Sequence, residues 1–258
     1  MALIRTDTHS IIIHIPYTMS GHSHWATHKH QKSINDAKRG IIFTKYGRLI
    51  TIAAREGGNG NPDMNFKLRI AIDQAKSVNM PKENIDRAIK VGTGESKDGV
   101  QIEEILYEGY GPGQTALIIE TVTDNRNRTV SEIKSILTKG NGKFVTAGAV
   151  SFMFRRVGLV TFLLEKYSAE TLENETLESG ADDFFVEENI FVVVTAVDKL
   201  QSVEEYFRKK DFLCESAELG YIPFQTATPT EENMVSLEKL LEALDEHQDV
   251  QRIWNNLP

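Results

Sequence analysis

The chain has 258 residues, of which 40% are hydrophobic and 26% are charged, as in an ordinary globular protein. No stretch approaches the roughly 20 apolar residues that a membrane helix needs, so we expect no contact with a membrane. The single cysteine, Cys214, excludes an intrachain disulfide and a zinc site built from several cysteines. These features predict a cytoplasmic protein.

Charge is distributed unevenly along the chain, although the net charge is only −8. Residues 19–98 hold 14 Lys and Arg against 8 Asp and Glu, and residues 124–156 hold 7 against 2. Residues 157–258 hold 7 against 22. This segregation predicts a cationic front that binds a polyanion, and an acidic C-terminal half that could dock a protein partner.

Residues 1–18 form an N-terminal extension that we expect to be dispensable. Their only apolar run, residues 11–13, is shorter than the hydrophobic core of a signal peptide, which has about 7–15 residues. Met19 is a candidate start in front of the first motif.

Residues 19–98 are predicted to form a basic helical domain. Between residues 36 and 55, one sector of a helical wheel is apolar and contains Ile42, Tyr46, Leu49, Ile50 and Ala53. A second sector is cationic and contains Lys38, Lys45, Arg48 and Arg55. Asn61-Pro62 predicts the start of a second helix, and Pro81 predicts a third that ends at Gly92.

The rest of the chain alternates strands with helices, which is typical of α+β domains. Residues 105–110 and 115–123 flank a turn rich in glycine and predict a hairpin, whose carboxylates Glu103, Glu104 and Glu108 we interpret as solvated. Thr129 and Glu132 have the spacing of a capping box. Strands are predicted at residues 149–154 and 158–164, and an acidic set of helices and strands follows.

Residues 21–32 concentrate cations around one aromatic ring and contain no carboxylate. A cationic arm of this kind can contact phosphates and stack an aromatic ring on a base, and its candidate contacts are His22, His24, Trp25, Lys29, His30 and Lys32. Two alternatives stay open: a metal site at the histidines, including His28, or an unstructured polar arm whose Trp25 docks on the helical domain. No carboxylate or common ligand spacing supports the metal, so we expect no cofactor.

A second candidate contact lies at residues 124–129, directly before a predicted helix. The N-terminus of a helix favours anions, and Arg126 and Arg128 could add bidentate phosphate contacts there, extended by Lys134. The alternative is that both arginines pair with Asp124 and neighbouring acids. On the first helix, the candidate contacts are Lys38, Arg39, Lys45, Arg48 and Arg55.

Catalytic motifs are missing from the sequence. The glycine-rich segments 92–94 and 109–113 lack the Lys-Ser/Thr of a phosphate-binding loop, and there is no Gly-x-Ser-x-Gly nucleophile or zinc-protease helix. We therefore expect a protein that is not an enzyme, and a metal-dependent enzyme is the least favoured alternative.

Several of these motifs together resemble the YebC/PmpR family. The matching blocks occur in the family's order, at residues 19–25, 36–40, 43–45, 53–58, 79–82, 107–113 and 123–129. The sequence departs from the family at His24, which replaces a usual lysine, and at Thr27-His28, which replaces Asn and a hydrophobic residue. Both changes make the charge of the arm depend on pH.

The resemblance implies three domains, a helical one followed by two α+β domains, of which the last is inserted into the middle one. In this chain it predicts domains at 19–98, at 99–164 with 228–258, and at 165–227. It implies a DNA-binding transcriptional regulator. Relatives that include the mitochondrial translational activator of cytochrome oxidase act on translation, so a ribosome-associated factor that binds RNA is the alternative.

Overall fold

The computed structural model describes residues 36–96 and 102–258, with side chains from Arg39 onward. These residues contain seven α-helices and two four-stranded antiparallel sheets, which confirms the α+β class. Within them, no helix combines the length and apolarity that crossing a bilayer requires. The predicted extension at 1–18 and the predicted arm at 21–32 lie outside the described residues.

The helical domain consists of α1 (Asp36–Glu56), α2 (Phe66–Ser77) and α3 (Lys82–Gly92). The apolar stripe predicted on α1 is confirmed, because Tyr46, Ile50 and Ala53 lie in the core of this domain. Asn65 caps α2 by accepting from the Leu68 N–H and also donates to the Ala53 carbonyl, which ties α2 to α1. A Cβ at Gly92 would lie 2.3 Å from the Thr51 carbonyl oxygen, so the close approach of α1 and α3 requires glycine there.

The middle domain is built from both ends of the remaining chain. It contains β1 (Glu103–Tyr110), β2 (Ala116–Thr123), α4 (Arg126–Lys139) and β3 (Lys143–Val145). Its sheet has the order β3-β1-β2-β8, where the last strand is Val250–Asn255, so the C-terminus returns to this domain as predicted. Helix α4 begins at Arg126 with Asn125 as its N-cap, so the predicted capping box at Thr129 is wrong.

The inserted domain contains β4 (Phe154–Leu163), α5 (Ala169–Ser179), β5 (Asp183–Glu187), β6 (Ile190–Thr195), α6 (Leu200–Lys209) and β7 (Ser216–Pro223). Its sheet has the order β5-β6-β4-β7. Strand β4 therefore belongs to this sheet and not to the middle domain, to which the sequence analysis assigned residues up to 164. The change of sheet falls near residue 154, because β4 hydrogen-bonds along both edges to β6 and β7.

Residues 149–153 were predicted as part of a strand, but they form a loop and a short 3-10 turn that ends at Met153. The two sheets face each other across one shared core, with Ile118 and Trp254 from one side and Leu159 and Ile222 from the other. Helix α7 (Glu231–Asp245), which precedes the last strand, packs with α4 on the opposite face of the first sheet.

Candidate nucleic-acid interface

Two cations of the sector predicted on α1, Lys45 and Arg48, face the middle domain and not solvent, whereas Arg55 is exposed. The Lys45 ammonium donates to the backbone carbonyl of Asp245, at 2.5 Å, and lies 3.4 Å from its carboxylate. This carbonyl belongs to the last turn of α7, where the helix dipole favours a cation. Burial lowers the pKa of Lys45, and the Asp245 carboxylate offsets part of that effect.

Arg48 lies one turn further along the same sector and is also buried at the domain boundary. Its Nη1 lies 2.5 Å from the Asp249 carboxylate and donates to the carbonyls of Val122 and Gln248, at 3.2 and 3.1 Å. The side chains of Lys45 and Arg48 are each only 13% exposed. The predicted phosphate contacts at these two residues are therefore corrected, because both cations are used to join the domains.

Asp249 is the centre of this boundary and is fully buried. Besides Arg48, its carboxylate accepts from Arg128 Nη2 at 2.8 Å, from the Thr129 hydroxyl at 2.6 Å and from the Thr123 hydroxyl at 3.2 Å. Burial alone raises the pKa of Asp249, but these hydrogen bonds outweigh it and lower the pKa to about 2. We refer to Asp249 and its four partners as the Asp249 cluster.

A group of possible metal ligands lies at the edge of this cluster and consists of Glu132, His247 and Asp249. Their ligand atoms are already engaged. The Asp249 oxygens accept from two arginines, and His247 Nδ1 accepts from the Asp249 N–H at 3.1 Å. His247 Nε2 therefore carries the proton and donates to Glu132 at 2.8 Å. These residues fit an internal hydrogen-bond network better than a metal site.

Four cations of α4 and β3 are exposed, in contrast to Lys45 and Arg48 of α1. The side chain of Arg126 makes no hydrogen bond or ion pair with any residue in 36–96 or 102–258, although it stands at a helix N-terminus, where a cation is unfavourable. Lys134 lies 4.9 Å from the centroid of the Phe144 ring, which connects α4 to β3. Residues 133–164 contain five Lys and Arg and no Asp or Glu. We call Arg126, Lys134, Lys139 and Lys143 the basic edge, since β3 is the edge strand of its sheet.

The remaining predicted contacts divide into three groups. Arg39 is exposed and lies over the Phe43 ring, at 5.8 Å, and Arg55 is exposed but donates to the Ile102 carbonyl at 2.7 Å. Arg128 pairs with Asp124 and Asp249, so the alternative of arginines paired with acids describes Arg128 but not Arg126. The side chains that lie outside the described residues are those of His22, His24, Trp25, Lys29, His30, Lys32 and Lys38.

Glu108 is buried and not solvated, so the prediction of a solvated carboxylate is wrong at this position. It is 2% exposed and accepts from the backbone N–H groups of Gly148, Val150 and Ser151, at 2.8, 2.5 and 3.1 Å. Burial raises the pKa of Glu108, but these hydrogen bonds outweigh it and the pKa is lowered. The buried carboxylate fixes the loop between the two sheets. Alternation along β1 did not reveal this, because Glu108 follows an aromatic residue that is also buried.

Known proteins are similar to this chain in sequence, and a solved structure is similar to it in fold. A probable transcriptional regulatory protein of Syntrophomonas wolfei is 44% identical over 242 residues, which cover 93% of this chain and 96% of that protein. One from Geobacter sulfurreducens is 47% identical over 238 residues and covers 92% and 95%. The crystal structure of a conserved hypothetical protein from Aquifex aeolicus is 41% identical, has a TM-score of 0.83 and covers 92% and 97%.

The fold defines the class of protein. It is a three-domain protein with a helical domain and two α+β domains, and its C-terminus returns to the middle domain. The sequence profile described as TACO1/YebC protein N-terminal domain matches residues 23–95. The profile described as TACO1/YebC second and third domain matches residues 102–257. The chain belongs to the TACO1/YebC family.

Proposed function

We propose that this protein is a nucleic-acid-binding regulator of gene expression, and that it regulates transcription by binding DNA. The observation that carries the proposal is the basic edge, whose four cations are exposed and form no ion pair with any carboxylate in residues 36–96 or 102–258. Cations placed in this way neutralise phosphates and release counterions, which supplies affinity independent of sequence. The names of the relatives, probable transcriptional regulatory proteins, support the transcriptional role.

The proposal assigns the cations to two different roles. Lys45 and Arg48 hold the helical and middle domains together, and Arg128 binds the same Asp249 from within the middle domain, so that exposed cations such as Arg39 and the basic edge keep a fixed relative position. Contacts to phosphate fix position but read no base, so this surface predicts weak dependence on sequence. No catalytic step is proposed.

A second candidate function is that of a ribosome-associated translation factor that binds RNA. The observation in its favour is the charge of residues 154–223, which hold 7 Lys and Arg against 15 Asp and Glu. An acidic domain of this kind is repelled by naked duplex DNA, whereas a ribosome offers basic proteins beside its RNA.

The proposal is tested by fluorescence anisotropy with a labelled 20-base-pair DNA duplex and a 20-nucleotide RNA at about 50 and 200 mM salt. We expect binding of the duplex that weakens steeply over this range, because several phosphates are neutralised. Failure to bind either probe at about 50 mM salt contradicts the proposal. Sedimentation of lysate with and without RNase separates the two roles, since a ribosome-bound pool that RNase releases supports the translational one.

A further inference from the structure

Two phenylalanine side chains lie exposed where the middle and inserted domains meet. Phe152 is 71% exposed and Phe224 is 63% exposed. Their backbones are neighbours, because the Phe224 N–H donates to the Met153 carbonyl at 2.9 Å and Phe154 pairs with Pro223. Large apolar side chains that are exposed together mark a surface that binds something. We call Phe152 and Phe224 the Phe pair.

The surroundings of the Phe pair are cationic. Arg155 and Arg156 follow directly on β4, and both are exposed. Lys143 pairs in register with Tyr110, whose hydroxyl donates to the Ala149 carbonyl in the loop that leads to Phe152. Residues 219–230, which carry Phe224, contain no charged side chain.

The carboxylate closest to this loop does not offset the cations. Glu108 accepts from three backbone N–H groups of the loop and is 2% exposed, so its charge is already compensated. The same hydrogen bonds hold the loop in one conformation. A surface that is fixed before binding loses less conformational entropy when a ligand arrives.

We propose that the Phe pair is a stacking platform for unpaired bases of single-stranded RNA, whose phosphates contact Arg155 and Lys143. The proposal rests on the nucleic-acid-binding function and adds a contact surface with its own ligand class. Proteins that bind single-stranded nucleic acid combine exposed aromatic rings with cations, because every base has a face that can stack on such a ring. A duplex hides those faces, and RNA is the nucleic acid that commonly presents unpaired loops and ends to proteins.

The test compares the wild type with Phe152→Ala, with Phe224→Ala and with the double variant. Anisotropy is measured with a 12-nucleotide single-stranded RNA, the single-stranded DNA of the same sequence and a 12-base-pair DNA duplex. Leu177→Ala with Leu213→Ala is the matched control, because these side chains are 60% and 67% exposed on the inserted domain. Phe152→Tyr with Phe224→Tyr keeps both rings.

We expect the double alanine variant to lose at least about fivefold in affinity for the RNA, within the range that stacking of one base supplies. Duplex affinity should change less than twofold, and the tyrosine variant should retain RNA binding. An unchanged RNA affinity, or an equal loss in the leucine control, overturns the platform and leaves a protein-docking surface. An equal loss on the single-stranded DNA overturns the choice of RNA. If the wild type binds no probe, the proposed function itself fails.

Discussion

Arg48 on α1 lies 2.5 Å from the buried carboxylate of Asp249, and this ion pair joins residues 201 positions apart in the chain. One turn earlier on α1, Lys45 forms a similar ion pair with Asp245. Part of the charge segregation along the sequence is therefore internal, because cations of the N-terminal helix meet acids near the C-terminus. Among the described residues, the cations that remain available to a polyanion are those without such a partner, above all Arg126 and Lys143.

Replacing Asp249 by Asn should destabilise the protein strongly. The substitution leaves Arg48 and Arg128 at a largely buried boundary without their carboxylate, and breaking such a pair typically costs about 3–5 kcal/mol. Urea denaturation at pH 7 measures the loss. Asp245→Asn is the control, since that side chain is 37% exposed and should cost about 1 kcal/mol or less. Equal effects of the two substitutions would contradict the central place of Asp249.

The contribution of Asp249 should also depend on pH in a defined direction. Its pKa in the folded protein is about 2, below its ordinary value of 3.8. The ionised form is thus favoured by folding, and its stabilisation is complete above about pH 5 and lost as the pH falls towards 2. The stability difference between the wild type and Asp249→Asn should shrink between pH 5 and pH 2.5. A stability difference that stays constant over this pH range would show that the charge of Asp249 is not the cause of its stabilising effect.

Glu187 should show the opposite dependence. Burial first, and then the neighbouring charge of Glu188, raise its pKa to about 7 from an ordinary 4.5. Folding thus favours the protonated form, and the carboxylate becomes increasingly unfavourable as the pH rises from 4.5 through 7. Glu187→Gln should stabilise the protein by about 1–2 kcal/mol at pH 8, after allowance for partial exposure, and by much less at pH 4. The check is to measure the melting temperatures of Glu187→Gln and of the surface control Glu170→Gln at both pH values. A rise in the melting temperature of Glu187→Gln that is equal at pH 4 and pH 8 would refute the raised pKa of Glu187.

Glu108→Gln should loosen the loop that carries the Phe pair. The amide keeps one acceptor oxygen but loses the charge that three backbone N–H groups share, which should cost about 1–3 kcal/mol. Amide hydrogen exchange at Gly148, Val150 and Ser151 should become faster than elsewhere in the domain. Glu104→Gln on the same strand is the control, because Glu104 is exposed and should leave this loop protected.

The sequence predicts local structure correctly where the residues of a single segment determine that structure. The α1 stripe of Tyr46, Ile50 and Ala53 forms its core as predicted, and β1 and β2 form the predicted hairpin. The prediction that β4 belongs to the middle domain is wrong, because an apolar run such as Val157–Leu163 is compatible with a strand in either sheet. Only the pairing of β4 with β6 and β7 shows to which sheet this strand belongs.

The site was harder to predict, since a helical wheel gives the direction of a side chain but not what covers it. Arg48 and Arg126 look alike in the sequence, yet Arg48 is buried against Asp249 and Arg126 is exposed. Their difference depends on contacts between segments about 200 residues apart. The exposure of Phe152 gave no signal either, because this residue lies within residues 149–154, which the sequence predicts as a strand.

The measurement that tests the account most directly is the salt dependence of DNA affinity in a variant with Arg126, Lys134 and Lys143 changed to Gln. Three lost phosphate contacts should reduce the slope of log affinity against log salt by about 2.7, at roughly 0.9 per contact, in a variant whose fold is retained by circular dichroism. A control with Lys199, Lys209 and Lys239 changed to Gln removes the same charge from other exposed positions and should keep the wild-type slope. A slope unchanged in the first variant, or reduced equally in both, would contradict the assignment of binding to the basic edge.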